Sequence, residues 1–124
     1  FARYLIETVL ATLDPSTRRL LDFLAIWRGI LDLNQPQLAE LLNEEGEGYD
    51  HRKALVQVQR SRLIDSLQHA TPHPMLRDPL LAELNAQPKR KRLLHKIAAS
   101  HAQADEKFGE AAYHLAHAGE LLQT

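Results

Sequence analysis

The chain contains no cysteine. That excludes a disulfide framework, thiolate chemistry and any zinc site built on cysteine, and it fits a reducing, cytoplasmic setting. No apolar run approaches the roughly 18 residues needed to span a bilayer, and no signal peptide is visible. A soluble protein is the expectation. A G-x-x-x-x-G-K-[ST] phosphate loop is missing, as are an H-E-x-x-H pair and a nucleophile elbow. The expectation is therefore a segment that is not an enzyme and cannot hydrolyse ATP alone. It begins at Phe1 without an initiator methionine and stops at Thr124 within an apparent helical pattern, and so reads as part of a longer polypeptide.

What is present suits one compact unit. The 124 residues are 44% apolar and 25% charged, enough for a single core and too few for two independent ones. The formal net charge of −1 hides an uneven distribution. Residues 51–100 hold ten basic and three acidic side chains, whereas residues 1–50 hold four basic and nine acidic. A basic centre of this kind suits phosphate, whether of a nucleotide or of DNA, or an acidic neighbouring domain.

Apolar spacing predicts helices almost throughout. "ARYLIETVLATL" carries Leu5, Val9, Leu10 and Leu13 near helical spacing, and Asp14–Pro15 supplies a cap and a first-turn proline for the next helix. That helix buries Leu20, Leu21, Leu24 and Ile26 or Trp27, with Gly29 as its stop. "NQPQLAELLNEEGEG" repeats the logic, with Asn34 as the expected cap and Gly46 and Gly48 as terminators. A further helix is expected from Asp50 through "HRKALVQVQRSRLIDSL". "QHATPH" leaves room for a tight or extended turn, and residues 75–86 form a helix only if Pro79 falls in its first turn or kinks it. "KRKRLLHKIAASHAQA" and "EKFGEAAYHLAHAGELL" then read as a helical hairpin joined around Asp105. Ala98, Ala99, Ala102, Ala111, Ala112 and Ala118 favour close helix approach.

This order carries a resemblance. "LDPSTRRLLDFLAIWRGILDLNQPQLAELL", then "ALVQVQRSRLIDS", then "HPMLRDPLL", resembles the winged-helix domain of STAND signalling ATPases, the class of bacterial transcription activators and NLR-type receptors. "RLLHKIAASHAQADEKFGEAAYHLAHAGE" resembles the first tetratricopeptide-like repeat after it. The resemblance implies a mainly α fold: a winged-helix-like bundle with a minimal wing over residues 1–88, and a hairpin over 89–124 that begins a repeat array. Ala99, Ala111, Leu115 and Ala118 match the small and large positions of such a repeat. An ordinary helical hairpin would show the same small residues.

The resemblance also gives meaning to His73, which sits between Pro72 and Pro74 ahead of a helix. In the family a histidine at this junction contacts the β-phosphate of ADP held by the preceding nucleotide-binding domain. His73 is thus the candidate ADP contact in a parent protein that binds ADP or ATP, although Asp78 lies farther on than the pattern expects. Its alternative is a packing histidine. The implied partners are an upstream nucleotide-binding domain and downstream helical repeats in the same chain, with no membrane and no cofactor in the segment itself.

Two other functions compete. Lys53, Gln57 and Arg60 fall at i, i+4 and i+7 of one helix, a polar stripe that suits a major groove, with Arg52 and Gln59 beside it. A solvated face has the same pattern, and the acidic residues before it oppose DNA. A protein-interaction module built on the hairpin is the third reading. His114 and His117 lack a third ligand nearby in sequence, so no metal site is expected, and the histidines read as solvated or packing residues.

Overall fold

The computed structural model describes residues 8–27, 29–46, 48–64, 66–71 and 74–119. They are mainly helical, as expected. Residues 8–11 are helical and set Leu10 into the core. Six helices follow: α1 Pro15–Ile26, α2 Pro36–Asn43, α3 His51–Arg60, α4 Pro74–Asn85, α5 Pro88–Ala104 and α6 Phe108–His117.

Helix α1 is the hub. Asp14 caps it by accepting from the Ser16 amide at 3.0 Å, and Pro15 opens it without wasting an N–H. Leu20, Leu21, Phe23, Leu24, Ala25 and Ile26 are all buried, because α1 is packed by α3, α4 and α5 together. At Trp27 the backbone turns extended, and Gly29 at φ +90° reverses the chain in a conformation that glycine adopts without strain.

The reversed chain meets its own return. Leu31 forms an isolated antiparallel bridge with Ala70, the Leu31 amide donating to the Ala70 carbonyl at 2.9 Å and the Ala70 amide to the Leu31 carbonyl at 2.8 Å. The Leu33 amide adds a bond to the Leu67 carbonyl at 2.8 Å. These bonds close the segment holding α2 and α3 against α1.

Two boundary expectations are corrected. The residue flanking α2 is Gln35, with Pro36 at the first helical position, while Asn34 uses its amide in a local turn to the Asp32 carboxylate at 2.9 Å. Helix α3 stops at Arg60 instead of continuing to Leu67. Arg62 takes φ +54°, the Arg62 amide bonds the Gln59 carbonyl, and the Leu63 amide bonds the Val58 carbonyl. That is a Schellman ending with arginine where glycine is usual. Stopping there lets Leu63 and Ile64 turn into the core and frees Leu67 and Ala70 to pair with the 31–33 segment.

Helix α4 presents Leu76, Leu80 and Leu84 to the core at four-residue spacing and carries Pro79 inside it, beyond the first turn. Pro88 opens α5 one residue before the expected start, and α6 runs over Phe108–His117. The hairpin turn copies the end of α3: Glu106 takes φ +58°, and the Lys107 amide bonds the Ala102 carbonyl at 2.8 Å. Ala98, Ala99, Ala102 and Ala111 are buried as the small-residue pattern requires, whereas Ala112 faces solvent.

Candidate functional site

His73 lies outside the described residues. The stripe on α3 is described, and its members have different jobs. The Lys53 ammonium pairs with the Asp14 carboxylate at 3.0 Å, and the Gln57 side-chain carbonyl accepts the Asp14 amide at 3.0 Å. Both side chains therefore hold the turn that caps α1. The hydrogen bond from Lys53 is the main reason the Asp14 carboxyl is held below its usual range, and the same bond raises the lysine. Arg60 is exposed beyond them, at the C-terminal end of the helix, where its charge suits the helix dipole. Asp50 completes the arrangement: its carboxylate caps α3 through the Lys53 amide at 3.0 Å, and its own amide donates to the Ser16 hydroxyl at 2.9 Å.

The concentration of chemically capable side chains lies elsewhere, along the seam where the hairpin meets α1. At one end, Asp22 sits among the leucines of α1 with its side chain 2% exposed. Arg90 of α5 donates to it at 2.6 Å and pairs with Glu45 as well, while Arg18 approaches Asp22 at 3.4 Å. Burial pushes the Asp22 carboxyl up, and Arg90 and then Arg18 oppose that push by favouring the charged form. Arg19 holds Glu45 from the other side at 3.2 Å, so one guanidinium on each element straddles the same carboxylate. Arg18 also reaches Glu83 of α4.

At the other end the seam is aromatic. Phe23 and Trp27 stack at 5.8 Å between centroids, Trp27 stacks on His114 at 5.4 Å, and His101 meets the Trp27 ring edge-on at the same separation. His95, His101 and His114 are buried. The Nδ1 atoms of His95 and His114 are 2.8 Å apart, so one must donate and the other accept. On its other side the His114 ring brings Nε2 within 3.6 Å of the Glu110 carboxylate. Burial, followed by the charges of His117 and Lys91, drops His95 to about 4. Burial likewise lowers His101. The imidazoles of His95 and His101 are thus neutral near pH 7 and pack as polar aromatics.

His95 also stacks on His117 at 4.9 Å, which supplies the third histidine the sequence did not place near the His114 and His117 pair. The rings lie face to face, however, and no group of three or more His, Asp or Glu able to hold a metal occurs among the described residues. Asp22 gave a readable signal, a lone carboxylate inside "LLDFL" on an apolar helix. The histidine seam gave none, since "LLHKIAASHA" is also what a solvated helix looks like.

No family model matches the chain, and no curated protein or solved structure matches it either.

Proposed function

We propose that the chain is a non-catalytic regulatory segment of a STAND-class signalling ATPase, passing the nucleotide state of a preceding domain to a helical-repeat sensor. In this reading residues 1–88 are a winged-helix-like unit and residues 89–124 open a tetratricopeptide-like array. The element order supports it: a hub helix, one extended pairing residue, two short helices, an extended return to Leu31, a fourth helix and a hairpin. In this reading the isolated Leu31–Ala70 bridge would be what remains of a minimal wing.

The observation that carries the relay is the seam. Arg90, near the start of α5, grips Asp22 on α1 and Glu45 after α2, and Trp27 is wedged against His101 and His114. A hairpin held at both ends in this way moves with α1, which is what a relay needs. DNA binding, the competing reading, draws less support because Lys53 and Gln57 are occupied by Asp14.

The nucleotide input is tested upstream and at His73. The coding sequence ahead of Phe1 should contain a phosphate-binding loop; a complete upstream sequence without one overturns the proposal. In the protein carrying that domain, His73→Ala should speed ADP release by about tenfold to a hundredfold, the value of an imidazole–phosphate hydrogen bond. Unchanged release in a folded variant makes His73 a packing residue.

A further inference from the structure

Four helices line a half-open cavity of about 130 Å3 beside the aromatic seam. Arg77 and Asn85 reach it from α4, Lys91 and His95 from α5, and Tyr113 and His117 from α6, with Ala25 and Ile26 of α1 as its apolar wall. Among the described residues no carboxylate lines it. We propose that this cavity binds a small dianion, inorganic phosphate being its simplest member, between Arg77, Lys91 and His117.

Charge and donor geometry make the case. Arginine and lysine carry donors only, and both are charged at neutral pH, so the two of them balance a dianion. The Arg77 Nε donates to the Ala25 carbonyl at 3.2 Å, which fixes the guanidinium and leaves its remaining N–H groups. Lys91 is steadied by one bond to Asn85 at 2.6 Å and keeps two further donors. Burial is the first cause of the lowered His95 pKa, and the charges of His117 and Lys91 push it the same way, which is the direction a positive field at this cavity gives. In size the cavity equals about four liquid-water volumes at roughly 30 Å3 each, and it falls below the roughly 300–1,000 Å3 of sites for drug-sized ligands. A tetrahedral oxyanion matches that scale. The site would tie α4, α5 and α6 together, and it stands apart from the relay reading, since it needs no nucleotide-binding domain.

The test follows the imidazole resonances of His95 and His117 by NMR while inorganic phosphate replaces chloride at constant ionic strength and near-neutral pH. Saturable shifts at both rings are expected, with His95 titrating at a higher pH in phosphate. Lys91→Gln and Arg77→Gln should each weaken binding about tenfold or more, the worth of a charge-assisted bond, whereas Arg92→Gln, an exposed charge on α5, should not. Arg77 also supports the fold through Ala25, so Lys91→Gln, which gives up only the bond to an exposed asparagine, remains decisive if Arg77→Gln misfolds. Absence of saturable shifts, or equal weakening by Arg92→Gln, overturns the site. Acetate binding as tightly as phosphate overturns the dianion assignment.

Discussion

Residues 15–71 bury leucine against leucine, whereas the α5–α6 hairpin buries alanine and histidine against one tryptophan. In the first region Leu20, Leu21, Leu24, Leu31, Leu33, Leu38 and Leu42 are fully shielded, and backbone bonds at Leu31 and Leu33 close the chain on itself. In the second, Leu94 and Ile97 are the large aliphatics in the core, alongside Ala98, Ala99, Ala102 and Ala111. Small side chains bring α5 and α6 close but remove little apolar area from water, at about 25 cal/mol per Å2. The hairpin therefore depends for much of its stability on the helices that α5 packs against, α2, α4 and α1, and Trp27 and Arg90 are its aromatic and polar ties to the α1 side.

The severest test of that asymmetry is Trp27→Ala. The ring is buried and touches Phe23, His101 and His114, so its loss should cost about 3–5 kcal/mol by urea unfolding. Hydrogen exchange should show the hairpin amides losing protection before those of α1. Val58→Ala, at a buried position of α3, which packs on α1, should destabilise the fold without that order. Equal loss of protection across both regions would mean that the hairpin does not lean on α1 in the way its composition indicates.

Arg90→Met comes next. It leaves Asp22 buried with only the longer contact from Arg18, and because Arg90 itself is 28% exposed the cost should be about 2–3 kcal/mol, below the roughly 3–5 of a fully buried pair. Asp22→Leu combined with Arg90→Met should recover most of the loss, since a hydrophobic pair of similar volume is often as stable as a buried ion pair. Urea midpoints of the two singles and the double give the coupling directly. Additive losses would remove the pair from the seam's stability.

The two regions also differed in how well their sequence announced them. Helix α1 was readable because leucine spacing, Asp14–Pro15 and Gly29 all point the same way. The hairpin was readable from its alanines and the break at Pro88. The end of α3 was hidden because Arg62, an ordinary helix former, holds the left-handed position usually marked by glycine, and what stops the helix is the tertiary pull on Leu63, Ile64 and Ala70. Lys53 and Gln57 stood out as a stripe, yet their partner Asp14 lies far away in sequence, beyond the reach of spacing. The histidine seam depends on the same kind of long-range meeting.

A pH titration separates the regions with a smaller effect. The His95 imidazole falls to about 4 in the folded protein, below the roughly 6.5 of an unfolded chain. The unfolded state therefore takes up the proton first, so the stability of the seam is complete above about pH 6.5 and is lost as pH falls toward about 4. With screening allowed for, the loss should be about 2 kcal/mol, and lowered His101 adds in the same direction. His95→Asn places a side-chain amide, which can donate or accept, where Nδ1 lies, so it can keep a bond to His114 while removing the titration. Urea midpoints of that variant should vary less between pH 7 and 5 than those of the wild type; parallel curves would exclude His95 as the source.

The smallest expected change is a gain, and it falls alike in both regions. Arg62 after α3 and Glu106 after α5 each occupy the left-handed position of a Schellman ending, at φ +54° and +58°. A side chain in that conformation meets the following carbonyl through its Cβ at about 1–2 kcal/mol, a cost glycine avoids. Glycine also gains freedom in the unfolded chain, which returns part of the benefit, so Arg62→Gly and Glu106→Gly should each stabilise by about 0.5–1 kcal/mol. Both side chains are exposed, so neither substitution opens a cavity. The pair sharpens the contrast between the regions through hydrogen exchange. If the hairpin opens separately from the rest, Glu106→Gly should raise protection in α5 and α6 and leave α3 unchanged, while Arg62→Gly should do the reverse. A uniform rise across both regions from either variant would show that they open as one unit, with the seam strong enough to erase the difference in their cores.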